Sequence, residues 1–308
     1  MKNIVAIVGP TAVGKSRLAL HLAQLFDGEI VGADSRQVYR IIDIGTAKPT
    51  LGERSLVPHH LVDTIDLTES FSLGLYQRLA YETIEDIQMR GKLPVLVGGT
   101  GQYVWSALEG WSIPHVPPQP KLRQGLELRA ANEGSLALHA ELNAIDPVAA
   151  KTIDHRNVRR VIRAIEVYKV SGVPFSQLRK KAITPPFPNL IIIGLTTSRY
   201  DLYRYIDERV DRMVEIGLIE EVRILMEWGY DFNMSPLTSM GYKQMNEYIR
   251  GLMDLPTALE RTKVETHRFA RHQYAWFRLS DARINWLDAR EDPEVAAAKI
   301  VRNHISSY

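Results

Sequence analysis

The stretch Ile4-Val5-Ala6-Ile7-Val8-Gly9-Pro10-Thr11-Ala12-Val13-Gly14-Lys15-Ser16 joins an apolar, β-branched run to the pattern G-x-x-x-x-G-K-[ST]. That pattern cradles phosphate. Its glycines let the backbone turn its N–H groups inward, Lys15 adds a point charge, and the Ser16 hydroxyl can hold a magnesium ion. From Lys15 to Phe26, Leu18, Leu22 and Leu25 recur at helical spacing, so the positive end of a helix dipole is predicted to face the same anion. Strand, loop and helix in this order predict a di- or triphosphate site built by Gly9, Pro10, Thr11, Ala12, Val13, Gly14, Lys15 and Ser16.

Three more apolar runs read as strands: Glu29 to Ala33, Pro94 to Val97 and Leu190 to Leu195. Helical patterns separate them, among them Phe71 to Arg90 with a stripe of Leu75, Leu79, Ile84 and Ile87, and with Gly91 as its stop. This alternation predicts an α/β fold, a P-loop NTPase-like parallel sheet flanked by helices, with ligands at the carboxyl ends of the strands. Prolines at 114, 117, 118 and 120 and again at 185, 186 and 188 enclose a segment of amphipathic helices without strand-like runs. We therefore expect an all-helical insertion over 115–188, with 1–114 and 189–308 forming the core. The remainder reads as helical, with Leu202, Ile206, Val210 and Met213 on one face.

The chain has 308 residues, 45% hydrophobic and 24% charged, which suits a globular protein. It has no cysteine, which excludes disulfides, iron–sulfur clusters and thiolate zinc sites. The N-terminus enters a core strand without a secretory pattern, and no stretch reaches the roughly 18 apolar residues of a membrane span. A cytoplasmic location and no membrane partner are expected. A formal charge of +2 says little about partners, so charge must be read locally.

The second strand run leads into Asp34-Ser35-Arg36-Gln37, placing a carboxylate at the sheet's carboxyl edge. Asp34 can ligate magnesium, accept a proton from a nucleophile, or cap the following turn. The third ends in Gly98-Gly99-Thr100-Gly101, where a phosphate-loop nucleotidase would place a magnesium-holding aspartate. Two glycines there would let a ligand approach the backbone, and Thr100 offers a hydroxyl. His59 and His60 are adjacent, which argues against a metal site and for hydrogen bonds that order a loop. In the insertion, Val158, Val161, Ile165 and Tyr168 make an apolar face, while Arg156, Arg159, Arg160 and Arg163 lie opposite, without an evident set of acids. Guanidinium forks in such a row suit a polyanion. Arg261, Arg268, Arg271 and His272 share another helix face, followed by Tyr274, Trp276 and Phe277, an interleaving that suits single-stranded nucleic acid.

The phosphate loop, Asp34-Ser35-Arg36-Gln37-Val38-Tyr39, Asp43-Ile44-Gly45-Thr46-Ala47-Lys48-Pro49, Pro58-His59-His60 and Val97-Gly98-Gly99-Thr100-Gly101 together resemble the tRNA dimethylallyltransferase family. The resemblance continues through Arg163-Ala164-Ile165-Glu166-Val167, Gly217-Leu218-Ile219-Glu220-Glu221-Val222, Met240-Gly241-Tyr242-Lys243-Gln244 and Arg271-His272-Gln273-Tyr274-Ala275-Trp276-Phe277-Arg278. It implies transfer of a dimethylallyl group from dimethylallyl diphosphate to the exocyclic N6 amine of the adenosine 3′ to the anticodon, in tRNAs reading codons that begin with U. It further implies that the loop holds the prenyl diphosphate with Mg2+ at Ser16, that Asp34 takes the amine proton, and that Thr100 contacts the diphosphate or its bridging oxygen. Asp34, Ser35, Arg36, Gln37, Thr100, Arg123, Arg159, Arg160, Val161, Ile162 and Arg163 match positions the family uses on the tRNA anticodon stem-loop. The insertion would be a mobile tRNA-clasping domain on a monomer with no obligate protein partner. A zinc finger, found in eukaryotic members, is absent here, as there is no cysteine to build one.

Two rival enzymes share the phosphate loop. A small-molecule kinase would place a magnesium carboxylate and a lid of arginines around ATP, whereas this chain concentrates its arginines in a separate insertion. An adenylate isopentenyltransferase, acting on free AMP or ATP, would have little use for that insertion or for the basic C-terminal helix.

Overall fold

The computed structural model describes residues 3–114, 116–178 and 186–306. His115, at the expected domain boundary, and Pro185 lie outside the described residues. The strands are β1 (Asn3–Val8), β2 (Gly28–Gly32), β3 (His59–His60), β4 (Leu93–Val97), β5 (Asn189–Thr196) and β6 (Ile284–Asp288). Helices α1 (Lys15–Leu25), α2 (Leu51–Leu56), α3 (Leu73–Met89) and α4 (Gly101–Leu108) come first. Then follow α5 (Pro120–Glu133), α6 (Ser135–Ile145), α7 (Pro147–Thr152), α8 (Val158–Ser171) and α9 (Phe175–Leu178). The last are α10 (Arg199–Glu215), α11 (Leu218–Glu227), α12 (Tyr242–Ile249), α13 (Leu255–Trp276) and α14 (Pro293–Ser306). The chain divides into two compact units, Met1–Ala107 with Phe187–Tyr308, and Leu108–Pro186.

In the first unit the strands form one sheet in the order β3-β2-β4-β1-β5-β6, with every pairing parallel. A parallel sheet covered by helices on both faces needs continuous apolar strands, and Ile4 to Val8 are each fully buried. Val5 and Ile7 pack with Leu18 and Leu22 of α1, Leu202, Ile206 and Val210 of α10, and Ala297 and Val301 of α14. Leu25, at the end of the α1 stripe, is exposed.

Helix α3 begins at Ser72, whose hydroxyl accepts from Leu75 N–H, and its buried stripe is Tyr76, Ala80, Ile84 and Ile87, with Leu75 and Leu79 only flanking it. It ends as its glycine predicts. Gly91 has φ +75°, Gly91 N donates to Gln88 O at 3.1 Å and Lys92 N to Ile87 O at 3.1 Å, the paired bonds of a Schellman turn.

Two strands escape the sequence reading. β3 is a two-residue edge strand, so His59 and His60 sit in the sheet and not in a loop; the His60 ring reaches the buried Glu29 carboxylate at 2.7 Å. β6 lies at the opposite edge, and Asn285 and Asp288 break up its apolar residues, so no apolar run marks it.

The second unit is helical. Leu126, Leu138, Leu142, Ala149, Ile153, Val161, Ile162 and Ile165 form its core. Glu166 is fully buried within it, and its carboxylate accepts from Gln119 N at 2.7 Å, Arg123 Nε and Nη2 at 2.8 Å each, and Arg163 Nη1 at 2.6 Å. Burial would raise the Glu166 carboxyl, but the bonds from Arg123, the Gln119 amide and Arg163 outweigh it and hold the group below the usual carboxylate range. A buried charge persists only when paired, and here two arginines and an amide do so, tying the start of α5 to α8.

Candidate active site

Three chain segments meet at the carboxyl edge of the sheet. Ala33 N donates to Val97 O at 2.7 Å, Gly98 N to Ile7 O at 3.2 Å and Thr100 N to Ala33 O at 3.3 Å, so the ends of β1, β2 and β4 are bonded side by side. Order β2-β4-β1-β5 puts the phosphate loop near the middle of this edge, where a parallel sheet opens to ligands.

The loop has the backbone its sequence demands. Gly9 has φ +139°, and a β-carbon there would lie 2.3 Å from Leu195 O, so the glycine serves both conformation and space. Gly14, with φ +97°, is the N-cap of α1 and supplies no side-chain cap. Ala12 adopts φ +64°, a conformation costing an L-residue about 1 kcal/mol or more and found where a site over-determines the chain. The first turn of α1 thus offers its N–H groups to an anion.

Lys15 Nζ donates to Pro10 O at 2.6 Å. Burial and then the nearby Arg209 bring the Lys15 ammonium down to about 7, with Asp34 opposing them. Arg209, on α10, reaches the same loop and donates to Thr11 Oγ1 at 2.9 Å. Its own charge is disfavoured by burial and favoured by Asp34. Two cations therefore flank the loop with one carboxylate as their counter-charge, an arrangement that a bound anion would relieve.

Asp34 Oδ1 accepts from Arg36 N at 2.8 Å and from Gln37 N at 3.4 Å, which builds the turn after β2, while Oδ2 has no hydrogen-bond partner among the described residues. Turn-capping and a free carboxylate oxygen thus coexist in one residue. Ser35 N donates to Thr100 Oγ1 at 3.1 Å, so Thr100 stands beside Asp34 with its hydroxyl proton still to place.

On the side where Gly98 and Gly99 would carry a side chain, the space is filled by protein. β-Carbons on them would fall 2.1 Å from Ala33 O and 2.2 Å from Gln273 Nε2, and one on Gly101 would meet the Trp276 ring at 2.2 Å. The glycines permit close packing of strand end against strand end and against α13. Gln273 is buried there, accepting from Thr11 N at 2.7 Å and donating to Gly99 O at 2.9 Å, so it staples the phosphate loop to the β4–α4 turn.

Other expected contact residues have different partners. Gln37 spends its amide on Thr46 O and Ala47 O at 3.0 and 2.9 Å, and Arg36 Nη1 donates to Ser235 Oγ at 3.4 Å. The 43–49 segment wraps the Glu221 carboxylate, which accepts from Asp43 N and Ile44 N at 3.0 and 2.9 Å and from the Tyr242 hydroxyl. Gly45 lies against the Tyr242 ring, leaving no space for a side chain. The scattered motifs around 43–49, 217–222 and 240–244 are thus one packed assembly. Just after α13, Phe277 is buried, and on the helix the Tyr274 hydroxyl bonds Thr196 Oγ1 at 2.9 Å, so these two rings are packing elements; Arg268 and His272 remain exposed.

In the helical unit the cationic face is smaller than its sequence suggests. Arg156 is paired with Asp154, and Arg123 and Arg163 with Glu166. Val161 and Ile162 are 0% and 3% exposed, so their side chains pack the core and are closed to any partner. Arg159 and Arg160 stand exposed, with no ion pair between them and an acid among the described residues.

The family model for IPP transferase matches residues 37–280. A tRNA dimethylallyltransferase of Roseiflexus castenholzii is 53% identical over 278 residues, covering 90% of each chain. The crystal structure of a full-length tRNA isopentenylpyrophosphate transferase from Bacillus halodurans superposes with a TM-score of 0.73 at 39% identity, covering 100% of this chain and 98% of that one. A eukaryotic dimethylallyltransferase acting on tRNA gives a TM-score of 0.87 at 28% identity, over 100% of this chain and 80% of that one.

Proposed function

Because this chain belongs to the IPP transferase family, we propose that it is a tRNA dimethylallyltransferase that moves the five-carbon group of dimethylallyl diphosphate to the N6 amine of the adenosine 3′ to the anticodon. The observation that carries the reading is the make-up of the sheet's carboxyl edge. A phosphate loop with Lys15 and Arg209 faces the carboxylate of Asp34, and the β4 end supplies Thr100 where an ATP-hydrolysing site would supply an acid.

The loop amides, Lys15 and Arg209 stabilise the diphosphate as charge grows on it. The amine nitrogen bonds the allylic carbon while the carbon–oxygen bond to diphosphate breaks, and the amine proton passes to Asp34. Thr100 donates its hydroxyl proton to the diphosphate. Among the described residues no three His, Asp or Glu side chains gather into a metal cage, and the exposed Ser16 hydroxyl at the start of α1 suits magnesium, which is held mainly by phosphate oxygens and water. Ser16 would hold that ion, whose chemistry is to neutralise charge on the leaving group. An amine within a stacked loop must be splayed out to react, so the adenosine is flipped. The acceptors are tRNAs reading codons that begin with U. The enzyme works as a monomer in the cytoplasm; no described helix is long and apolar enough to cross a membrane.

Incubation with labelled dimethylallyl diphosphate, magnesium and either total tRNA or free AMP tests the reading. Label is expected in RNA and not in the nucleotide. Label in AMP alone, or ATP-dependent phosphorylation of a metabolite with RNA untouched, overturns it.

Arg159 and Arg160 give the helical unit its RNA contact in this reading. Replacing both with glutamine leaves the Glu166 cluster whole, unlike a change at Arg163. The expected result is weaker tRNA binding with a log–log salt slope shallower by about 1.5, as for two lost phosphate contacts, and unaltered donor binding. An unchanged slope would make the pair ordinary solvated surface.

A further inference from the structure

We propose that Gln273 is a positioning residue for the transfer step, its buried carboxamide setting the spacing between the phosphate loop, which holds the leaving diphosphate, and the pair Thr100 and Asp34, which serves the acceptor amine. The inference rests on the function proposed above.

Gln273 lies on α13 and is 4% exposed. A primary amide is costly to bury unless it is paired, and here its two ends are paired with two different segments of the site. Oε1 accepts from Thr11 N at 2.7 Å, and Nε2 donates to Gly99 O at 2.9 Å. A backbone N–H can only donate and a carbonyl can only accept, so the two partners fix which end of the amide is which.

On the donor side, Thr11 is held twice from outside the loop, by Gln273 at its N–H and by Arg209 Nη1 at its hydroxyl, 2.9 Å away. Its neighbour Ala12 carries the strained φ of +64°, which persists only where surrounding bonds over-determine the chain. On the acceptor side, Gly99 precedes Thr100, and Thr100 grips both flanks of Asp34. Thr100 N donates to Ala33 O at 3.3 Å, and Thr100 Oγ1 accepts from Ser35 N at 3.1 Å. A chain of bonded groups therefore runs from Arg209 through Thr11, Gln273, Gly99 and Thr100 to the residues on either side of Asp34.

The reaction takes place across that chain. The allylic carbon leaves a diphosphate oxygen on the Thr11 side and joins the amine nitrogen on the Asp34 side, while the amine proton passes to Asp34. Gln273 acts through Thr11 and Gly99 and exchanges no proton. Without its amide each half still binds its own substrate, but a displacement on the order of 1 Å between the halves costs about a hundredfold in rate.

Gln273→Met keeps the length and bulk of the side chain and loses both bonds. It is expected to lower kcat about tenfold to a hundredfold, with KM for tRNA and for dimethylallyl diphosphate within about threefold of wild type. Tm is expected to fall by about 2 to 5 degrees, because the buried Gly99 carbonyl loses its partner. Gly99→Ala attacks the same link from its other end. The new β-carbon would stand 2.2 Å from Gln273 Nε2, and beyond that side chain its nearest neighbour is Gly9 O at 3.6 Å, so alanine there displaces chiefly the amide. The same fall in kcat with KM kept is expected, and the double variant is expected to be no slower than the slower single one, because both act on one link. Wild-type kcat in Gln273→Met at a lowered Tm overturns the proposal, since the amide would then only hold the fold. So does a raised KM with kcat intact, or losses that multiply in the double variant. Should the methionine variant not fold, the split between kcat and KM in Gly99→Ala decides alone. Since wild-type labelling of tRNA is scored separately, failure here leaves the proposed function standing.

Discussion

Asp34→Asn is expected to slow single-turnover prenylation by about two to four powers of ten, the scale of a lost general base, while tRNA and dimethylallyl diphosphate bind within a few-fold of wild type. Asparagine is the informative replacement because Asp34 does two things. Its Oδ1 receives Arg36 N and Gln37 N, and an amide oxygen in the same place still accepts both. An amide cannot take up the proton released by the acceptor amine. Asp34→Ala removes the turn-capping oxygen as well, so it is expected to combine the catalytic loss with weaker tRNA binding through the loosened 34–37 segment. The difference in tRNA affinity between the two variants measures the structural role, and the rate they share as a deficit measures the chemical one. Wild-type turnover in Asp34→Asn would remove the carboxylate from the mechanism and leave proton removal to water.

Much of this edge is legible in the chain because strand ends are legible. Once Ile4 to Val8, Glu29 to Ala33 and Pro94 to Val97 read as parallel strands, the residues just after them, Gly9 to Ser16, Asp34 and Thr100, must gather at one edge, whatever the details of helix packing. The partners that come from distant helices are not legible in that way. Arg209 is one of many charged residues on α10, and only its place beside the apolar stripe of Ile206, Val210 and Met213 hints that it turns toward the sheet. Gln273 sits 262 residues from Thr11, and no local periodicity pairs them. Glu166 is the sharpest case. A lone acid within the apolar stretch Ala164 to Val167 signals a buried charge needing a cation, and Arg163 lies three residues away, yet Arg123 comes from another helix. Of the row Arg156, Arg159, Arg160 and Arg163 that looks free to bind a polyanion, that pairing draws Arg163 into the fold, Arg156 pairs with Asp154 at the surface, and Arg159 and Arg160 stand exposed without an acid among the described residues. The edge strand β6 shows the same limit, since Asn285 interrupts its few apolar residues and its register with β5 is what makes Ile284 to Asp288 a strand.

Lys15→Met is expected to lower kcat/KM by about two to three powers of ten, as removal of a preorganised positive group from a leaving diphosphate does. Most of the loss is expected in kcat, because charge on the diphosphate rises as the carbon–oxygen bond breaks. The wild-type enzyme carries an additional signature. With burial and Arg209 bringing the ammonium down to about 7, the protein free of donor loses the Lys15 proton as pH rises through neutrality. Bound diphosphate favours the charged form and raises the group again, so at higher pH binding must draw a proton from solvent. The sign follows: donor affinity is fullest below about 7 and weakens above it, approaching tenfold per pH unit until the pKa of the bound form is reached. Ionisation of the substrate itself also changes with pH, but it is common to every variant. Donor affinity measured from about pH 6 to about pH 8.5 should therefore fall more steeply for wild type than for Lys15→Met, whose position 15 cannot titrate. Lys15→Arg, always charged, should show the shallow profile of the methionine variant at a higher affinity. Parallel profiles for all three proteins would mean that Lys15 keeps its proton throughout and that the low value set by Arg209 and burial is cancelled within the working loop.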